Sequence, residues 1–179
     1  MTTRRTDNPD APRRVYHVLF VCTGNTCRSP MAEGILRKLL VELPPPQPAV
    51  SIESAGTMAS AGMPATDPAI AVAAEYGVDL ATHRSQTLDP QTLERSDLVL
   101  VLAADHYQMG RTLGVPPERL YMLQTFPQRP NNLQSASISD PIGGDRGRYE
   151  KAFFEIDEAV RRALPEILAR AGIRNHEAT

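Results

Sequence analysis

Cys22 and Arg28 flank five residues, Thr23-Gly24-Asn25-Thr26-Cys27, and Ser29-Pro30 follows. These residue types suit one chemistry together. A thiolate is a strong nucleophile, and a guanidinium fork can grip two oxygens of an oxyanion. The spacing supplies the rest of the logic. A loop that leaves the carboxyl end of a strand and enters a helix offers backbone N–H groups that lack intrahelical partners, at the positive end of the helix dipole. Consecutive N–H groups there hold an anion. Thr23, Gly24, Asn25, Thr26, Cys27, Arg28 and Ser29 are therefore the candidate oxyanion cradle. Gly24 is expected to permit a backbone turn that a side chain would hinder. The same field is expected to pull the Cys22 thiol below its ordinary pKa of about 8.5. The Ser29 hydroxyl stands where it can donate to the sulfur.

Other readings of this segment fail or stay open. The loop lacks both Gly-Lys-Ser/Thr and Gly-x-Gly-x-x-Gly, so it is no nucleotide-binding loop. The chain's two cysteines have no histidine at ligand spacing, so neither a metal nor another cofactor is expected. Cys27 is either a small packed residue or a partner that captures oxidised Cys22 in a disulfide.

The elements that must position this loop can be read on either side of it. Val15 to Val21 (VYHVLFV) is β-branched and apolar, and reads as a central strand covered on both faces. Ser29 suits an N-cap and Pro30 the first turn of a helix that ends before Pro44-Pro45-Pro46. Further strands are expected at Val50–Glu53, Asp97–Leu102 and Arg119–Leu123. Thr66-Asp67-Pro68 opens a helix, with Asp67 as N-cap, that Gly77 closes, and another helix is expected from Asp105 to Leu113. Asp89 is read as a turn or cap residue, and Thr125–Gly144 as a loop. Tyr149, Phe153, Ile156, Val160, Leu164 and Ile167 form one apolar stripe on a last helix, Arg148–Arg170, with a kink or break expected at Pro165. Alternating strands and helices predict an α/β fold, with a parallel sheet and helices on both faces.

Composition limits the alternatives. A chain of 179 residues with 41% hydrophobic residues suits one domain with a full core. No apolar run approaches the ~20 residues of a membrane span. A net charge of −2 predicts no strong field for nucleic acid or membrane. The first fourteen residues carry four Arg, two Asp and two Pro without an apolar stretch. They read as a disordered arm and not as a signal or transit peptide. A domain over 15–171 and a short tail over 172–179 complete the organisation. With so few cysteines, a cytoplasmic location with reduced thiols is expected.

The run CTGNTCRSPMAE near the N-terminus resembles the low-molecular-weight protein phosphatase family. The resemblance extends from about Val15 to Arg170 and is greatest to the protein-arginine-phosphatase branch. It implies a four-stranded parallel sheet flanked by helices, with the phosphate-binding loop after the first strand. It implies a metal-independent reaction through a cysteinyl-phosphate, phosphorylated proteins as substrates, inorganic phosphate as product, and a monomer. Cys22 would be the nucleophile and Arg28 the phosphate ligand. Asp140 would be the general acid and then the base. Asp-Pro pairs often open turns, and Asp67-Pro68 and Asp89-Pro90 are two more. Asp140 is preferred for its place before the last helix, its glycine-rich surroundings and the family pattern. The family also implies a network in which Asn25 is held by Ser29, Ser54 and His83.

Three features bear on the substrate. Thr26 stands where tyrosine-specific members usually carry Ile and arginine phosphatases carry Thr. Asp140-Pro141 is followed by Ile142-Gly143-Gly144, where tyrosine-specific members often place aromatics to stack on the substrate ring. The stretch Ser54–Ala65 holds no aromatic either. Thr26 and Ile142 are thus the candidate specificity residues, and phosphoarginine is favoured over phosphotyrosine. Ile142 departs from the Phe that the arginine branch tends to have there. Arsenate reduction needs relay cysteines outside the loop, and the chain has none. A phosphate-binding module without catalysis would lack the nucleophile or the acid.

Overall fold

A computed structural model describes residues 14–46 and 49–172. Residues 1–13 and 173–179, which hold most of the expected arm and tail, lie outside the described residues. Arg14 is ion-paired with Asp97, and the Asp97 carboxylate also accepts from the His17 N–H at 2.9 Å.

Strand β1 (Tyr16–Cys22) is followed by helix α1 (Arg28–Glu42), strand β2 (Val50–Gly56), and helices α2 (Asp67–Glu75) and α3 (Pro90–Arg95). Strand β3 (Leu98–Val101), helix α4 (Ala104–Thr112), strand β4 (Leu120–Met122) and helix α5 (Arg146–Arg170) complete the order. The four strands form one parallel sheet in the order β2-β1-β3-β4. The α/β fold with helices on both faces is as the sequence predicts.

Strand alternation sends the core to two sides. Val18, Phe20, Leu98 and Leu100 pack under α1, α2 and α5 with Met31, Ile35, Val72, Phe153, Ile156 and Val160. Leu19, Val21, Val99, Val101 and Met122 pack on the opposite face with Leu93 of α3 and Tyr107 of α4. β1 is central and covered twice, which explains its unbroken apolar run.

The sheet order also places the site. From β1 the chain goes to β2 on one side, and β3 lies on the other. Ligands of open parallel sheets sit at such a switch point, outside the carboxyl ends of the strands. Cys22 is the last residue of β1 and stands there.

Several local expectations are corrected. Cys27, not Ser29, occupies the N-cap of α1, because the Ser29 side chain is committed to the loop. Thr66, not Asp67, is the N-cap of α2. Asp89 is a cap, as read, accepting from Thr92 N at 2.8 Å, but the helix it caps, α3, was not expected. β2 runs three residues past Glu53, to Gly56. α5 begins at Arg146, capped by Asp145, and continues unbroken through Pro165. A proline removes one backbone donor, but the packed apolar stripe keeps the remainder of the helix in place.

Candidate active site

Asn25 sets the shape of the loop. Its φ is +53°, in the left-handed region, and the turn expected to need Gly24 is made here: a Cβ on Gly24 would meet only Thr26 Oγ1 at 3.5 Å, an ordinary contact. Asn tolerates this region better than most residues because its side chain can bond locally. Here that side chain is fully buried and tied on every side. Nδ2 donates to Ser29 Oγ and to Ser54 Oγ, both at 2.9 Å, and Oδ1 accepts from Gln86 N at 2.8 Å. His83 Nε2 donates to the Asn25 carbonyl at 2.8 Å. The expected set of Asn25, Ser29, Ser54 and His83 is brought together.

The directions of these bonds can be followed outward. Ser54 Oγ donates to the Glu33 carboxylate at 2.6 Å, and Glu33 is ion-paired with Arg37 at 2.6 Å. With its proton on Glu33, Ser54 must accept from Asn25. Ser29 also accepts from Asn25, which leaves its own proton for Cys22 Sγ, 2.9 Å away. Asn25 N–H points at the same sulfur at 3.3 Å.

Cys22 is buried, and burial pushes its thiol up from the ordinary value. The Ser29 bonds, the Arg28 charge and the Asn25 N–H pull it down. The expected depression is therefore corrected: removing the sulfur from water outweighs the donors.

Arg28 is 4% exposed. Nη1 donates to the Ile138 carbonyl at 3.0 Å, and Nη2 to Thr23 Oγ1 at 3.2 Å and to Asp140 Oδ2 at 2.6 Å. Nε is buried with no partner among the described residues. A buried guanidinium N–H left so is a donor available to an anion in the loop. Asp140 is about one-third exposed, and its second oxygen accepts from Ile142 N at 3.1 Å.

Cys22, Thr23, Gly24, Thr26, Cys27, Arg28, Asp140 and Ile142 line one cleft of about 170 Å³. The nucleophile, acid and specificity candidates and the cradle candidates Thr23, Gly24, Thr26, Cys27 and Arg28 thus share one space, whereas Asn25 and Ser29 are fully buried and do not line it. A neighbouring groove of about 260 Å³ meets this site only at Asp140. Cys27 Sγ lies 3.4 Å from Thr66 Oγ1 and 3.6 Å from Tyr149 OH, and both cysteines are free thiols.

Three positions carried no signal in the sequence. Gly56 ends β2 against the loop: a Cβ there would stand 2.5 Å from Thr23 O and 2.9 Å from Asn25 N. Gln86 holds the Asn25 amide by its backbone and reaches Ser54 O with Nε2 at 2.8 Å. His106, near the start of α4, is buried with Nε2 2.9 Å from Thr23 Oγ1. Only the fold shows that these residues converge on the loop.

Residues 17–173 match the family described as low molecular weight phosphotyrosine protein phosphatase. A probable low molecular weight protein-tyrosine-phosphatase, EpsP, of Ralstonia solanacearum is 45% identical over 152 residues, covering 85% of this chain and 96% of its own length. A protein-arginine-phosphatase of Geobacillus stearothermophilus is 32% identical over 153 residues, with the same coverage of 85% and 96%. The solved YwlE arginine phosphatase from Geobacillus stearothermophilus superposes with a TM-score of 0.73 at 33% identity, covering 92% of this chain and 99% of that one. The sheet, the loop after β1 and these likenesses lead to one conclusion: the chain belongs to the low-molecular-weight protein phosphatase family.

Proposed function

We propose that this phosphatase hydrolyses phosphoarginine in proteins through a phosphate ester on Cys22. Cys22 Sγ attacks phosphorus while the loop N–H groups and Arg28 hold the oxygens. The phosphorus–nitrogen bond breaks as Asp140, released from Arg28 and protonated from solvent before the step, gives that proton to the leaving guanidine nitrogen. Asp140 then takes a proton from a water that attacks phosphorus, the phosphorus–sulfur bond breaks, and inorganic phosphate leaves. The Nη2–H of Arg28 that Asp140 accepts must pass to a phosphate oxygen to free the carboxyl for this work, while the other Nη2–H stays on Thr23 Oγ1.

The raised thiol pKa fits this sequence of steps. A neutral thiol meeting a phosphate dianion carries the same total charge as a thiolate meeting the monoanion. The substrate can therefore take the Cys22 proton on binding, and Ser29 is placed to donate to the sulfur once it is ionised.

The observation that carries the choice of substrate is the cleft wall: Thr26 contributes to it, and none of the described residues lining it is aromatic. A planar guanidinium needs polar partners, whereas a phenol ring gains from apolar ones. Phosphotyrosine is the second reading, favoured by Ile142, which is 56% exposed at the cleft, and by the name of the Ralstonia relative.

Thr26→Ile tests the proposal. A guanidinium N–H left facing hydrocarbon costs about 1–3 kcal/mol, or roughly 5- to 150-fold in rate. Phosphoarginine turnover should fall by that factor, and phosphotyrosine turnover should rise as the ring gains ~25 cal/mol for each Å² covered. An equal change in both activities would refute a selective role for Thr26.

A further inference from the structure

Thr23 touches the site with more than its backbone. Its hydroxyl oxygen has two neighbours that donate or can donate: Arg28 Nη2 at 3.2 Å and His106 Nε2 at 2.9 Å. The direction of the second bond depends on where the imidazole proton sits. If Thr23 donated, the proton would be on Nδ1, which is buried without a partner among the described residues. An orphaned buried N–H is rare and unfavourable. Asp105 Oδ1 also lies 3.7 Å from Nε2, so its negative charge favours a proton on that nitrogen. Nε2–H therefore donates to Thr23. With Arg28 on one lone pair and His106 on the other, the hydroxyl has accepted all it can. Its own proton has no use in that cluster, and Thr23 lines the cleft.

We infer that the Thr23 hydroxyl is a directed hydrogen-bond donor to a phosphate oxygen, and that buried His106 is the positioning residue that aims it. This rests on the phosphate site proposed above, but not on the choice of leaving group.

Three measurements decide it. In 15N NMR of the imidazole, His106 should carry its proton on Nε2; an Nδ1–H signal would overturn the inference. Competitive inhibition by inorganic phosphate, read against p-nitrophenyl phosphate, should weaken about 10-fold or more in Thr23→Val, since a bond to a charged oxygen is lost. Thr23→Ser should recover most of that affinity, because the hydroxyl returns. The His106→Leu effect on phosphate affinity should be small once Thr23 is Val, because His106 acts through the hydroxyl. An unchanged phosphate affinity in Thr23→Val, or a His106→Leu effect that persists in full beside it, would overturn the inference. If His106→Leu fails to fold, the tautomer and the Val/Ser pair still decide. Absence of phosphate binding in the wild type would instead overturn the site itself.

Discussion

As the proposed general acid, Asp140 should be worth most where the leaving group is poor. Its carboxyl faces the cleft that holds Cys22, and general acid help is typically worth ~10²–10⁴-fold. A p-nitrophenolate departs with little protonation, whereas an alkyl or guanidine leaving group needs it. Asp140→Asn should therefore slow poor leaving groups far more than p-nitrophenyl phosphate. A series of aryl phosphates of graded leaving-group pKa reads this directly as a steeper dependence in the variant. Parallel lines for wild type and variant would remove Asp140 from the role of acid. The pairing of Asp140 with Arg28 at 2.6 Å also means that Asp140→Asn unpairs a buried cation, so phosphate affinity should be measured beside rate.

At the scale of elements, the end of β2 bears on the loop as directly as any side chain within it. Gly56 leaves no room for a methyl group against Thr23 O and Asn25 N, both backbone atoms of the cradle. Gly56→Ala must shift one element or the other, with a cost of roughly 1–3 kcal/mol for overpacking. Because small misplacements of reacting groups are costly in rate, kcat/KM should fall by about 10-fold or more even where the protein stays folded. Gly147→Ala is the control: its nearest neighbour would be Asp145 Oδ1 at 3.6 Å, in the first turn of α5. That variant should keep full activity; equal losses in both would show that the effect is general destabilisation.

The same elements explain what was legible beforehand. β1 declared itself because it is buried on both faces, and α5 because one face alone meets the core. Cys22, Arg28 and Asp140 were legible from residue type, spacing and family pattern, and one cleft contains all three. The pKa of Cys22 was not, because desolvation depends on how much protein closes over the sulfur. Ser29 was misread as a cap because its competing partners, Cys22 and Asn25, are set by the turn at Asn25. Gly56, Gln86 and His106 reach the loop from β2, from the segment between α2 and α3, and from α4. Spacing in the sequence holds no trace of such meetings.

For the whole molecule, His106 couples folding to acidity. Burial, aided by the Arg28 charge, lowers its pKa to about 4, although Asp105 and Asp140 oppose the shift. The ordinary value is 6.5, so between those limits the unfolded chain binds a proton that the folded chain does not. Stability from this group is complete above about pH 6.5 and is lost as pH falls toward about 4, by up to about 1.4 kcal/mol per pH unit. Denaturant titrations across that window should show the slope in wild type and a shallower one in His106→Gln. Identical slopes would mean that the imidazole is not held neutral by the fold. Substrate choice is a property of the intact enzyme, and a paired turnover assay reads it. Purified wild-type protein is offered phosphoarginine and phosphotyrosine in the same peptide context, and phosphate release is followed for each. A clear excess of kcat/KM for phosphoarginine is expected. A strong preference for phosphotyrosine would contradict it and leave Thr26 as a residue that only packs within the loop.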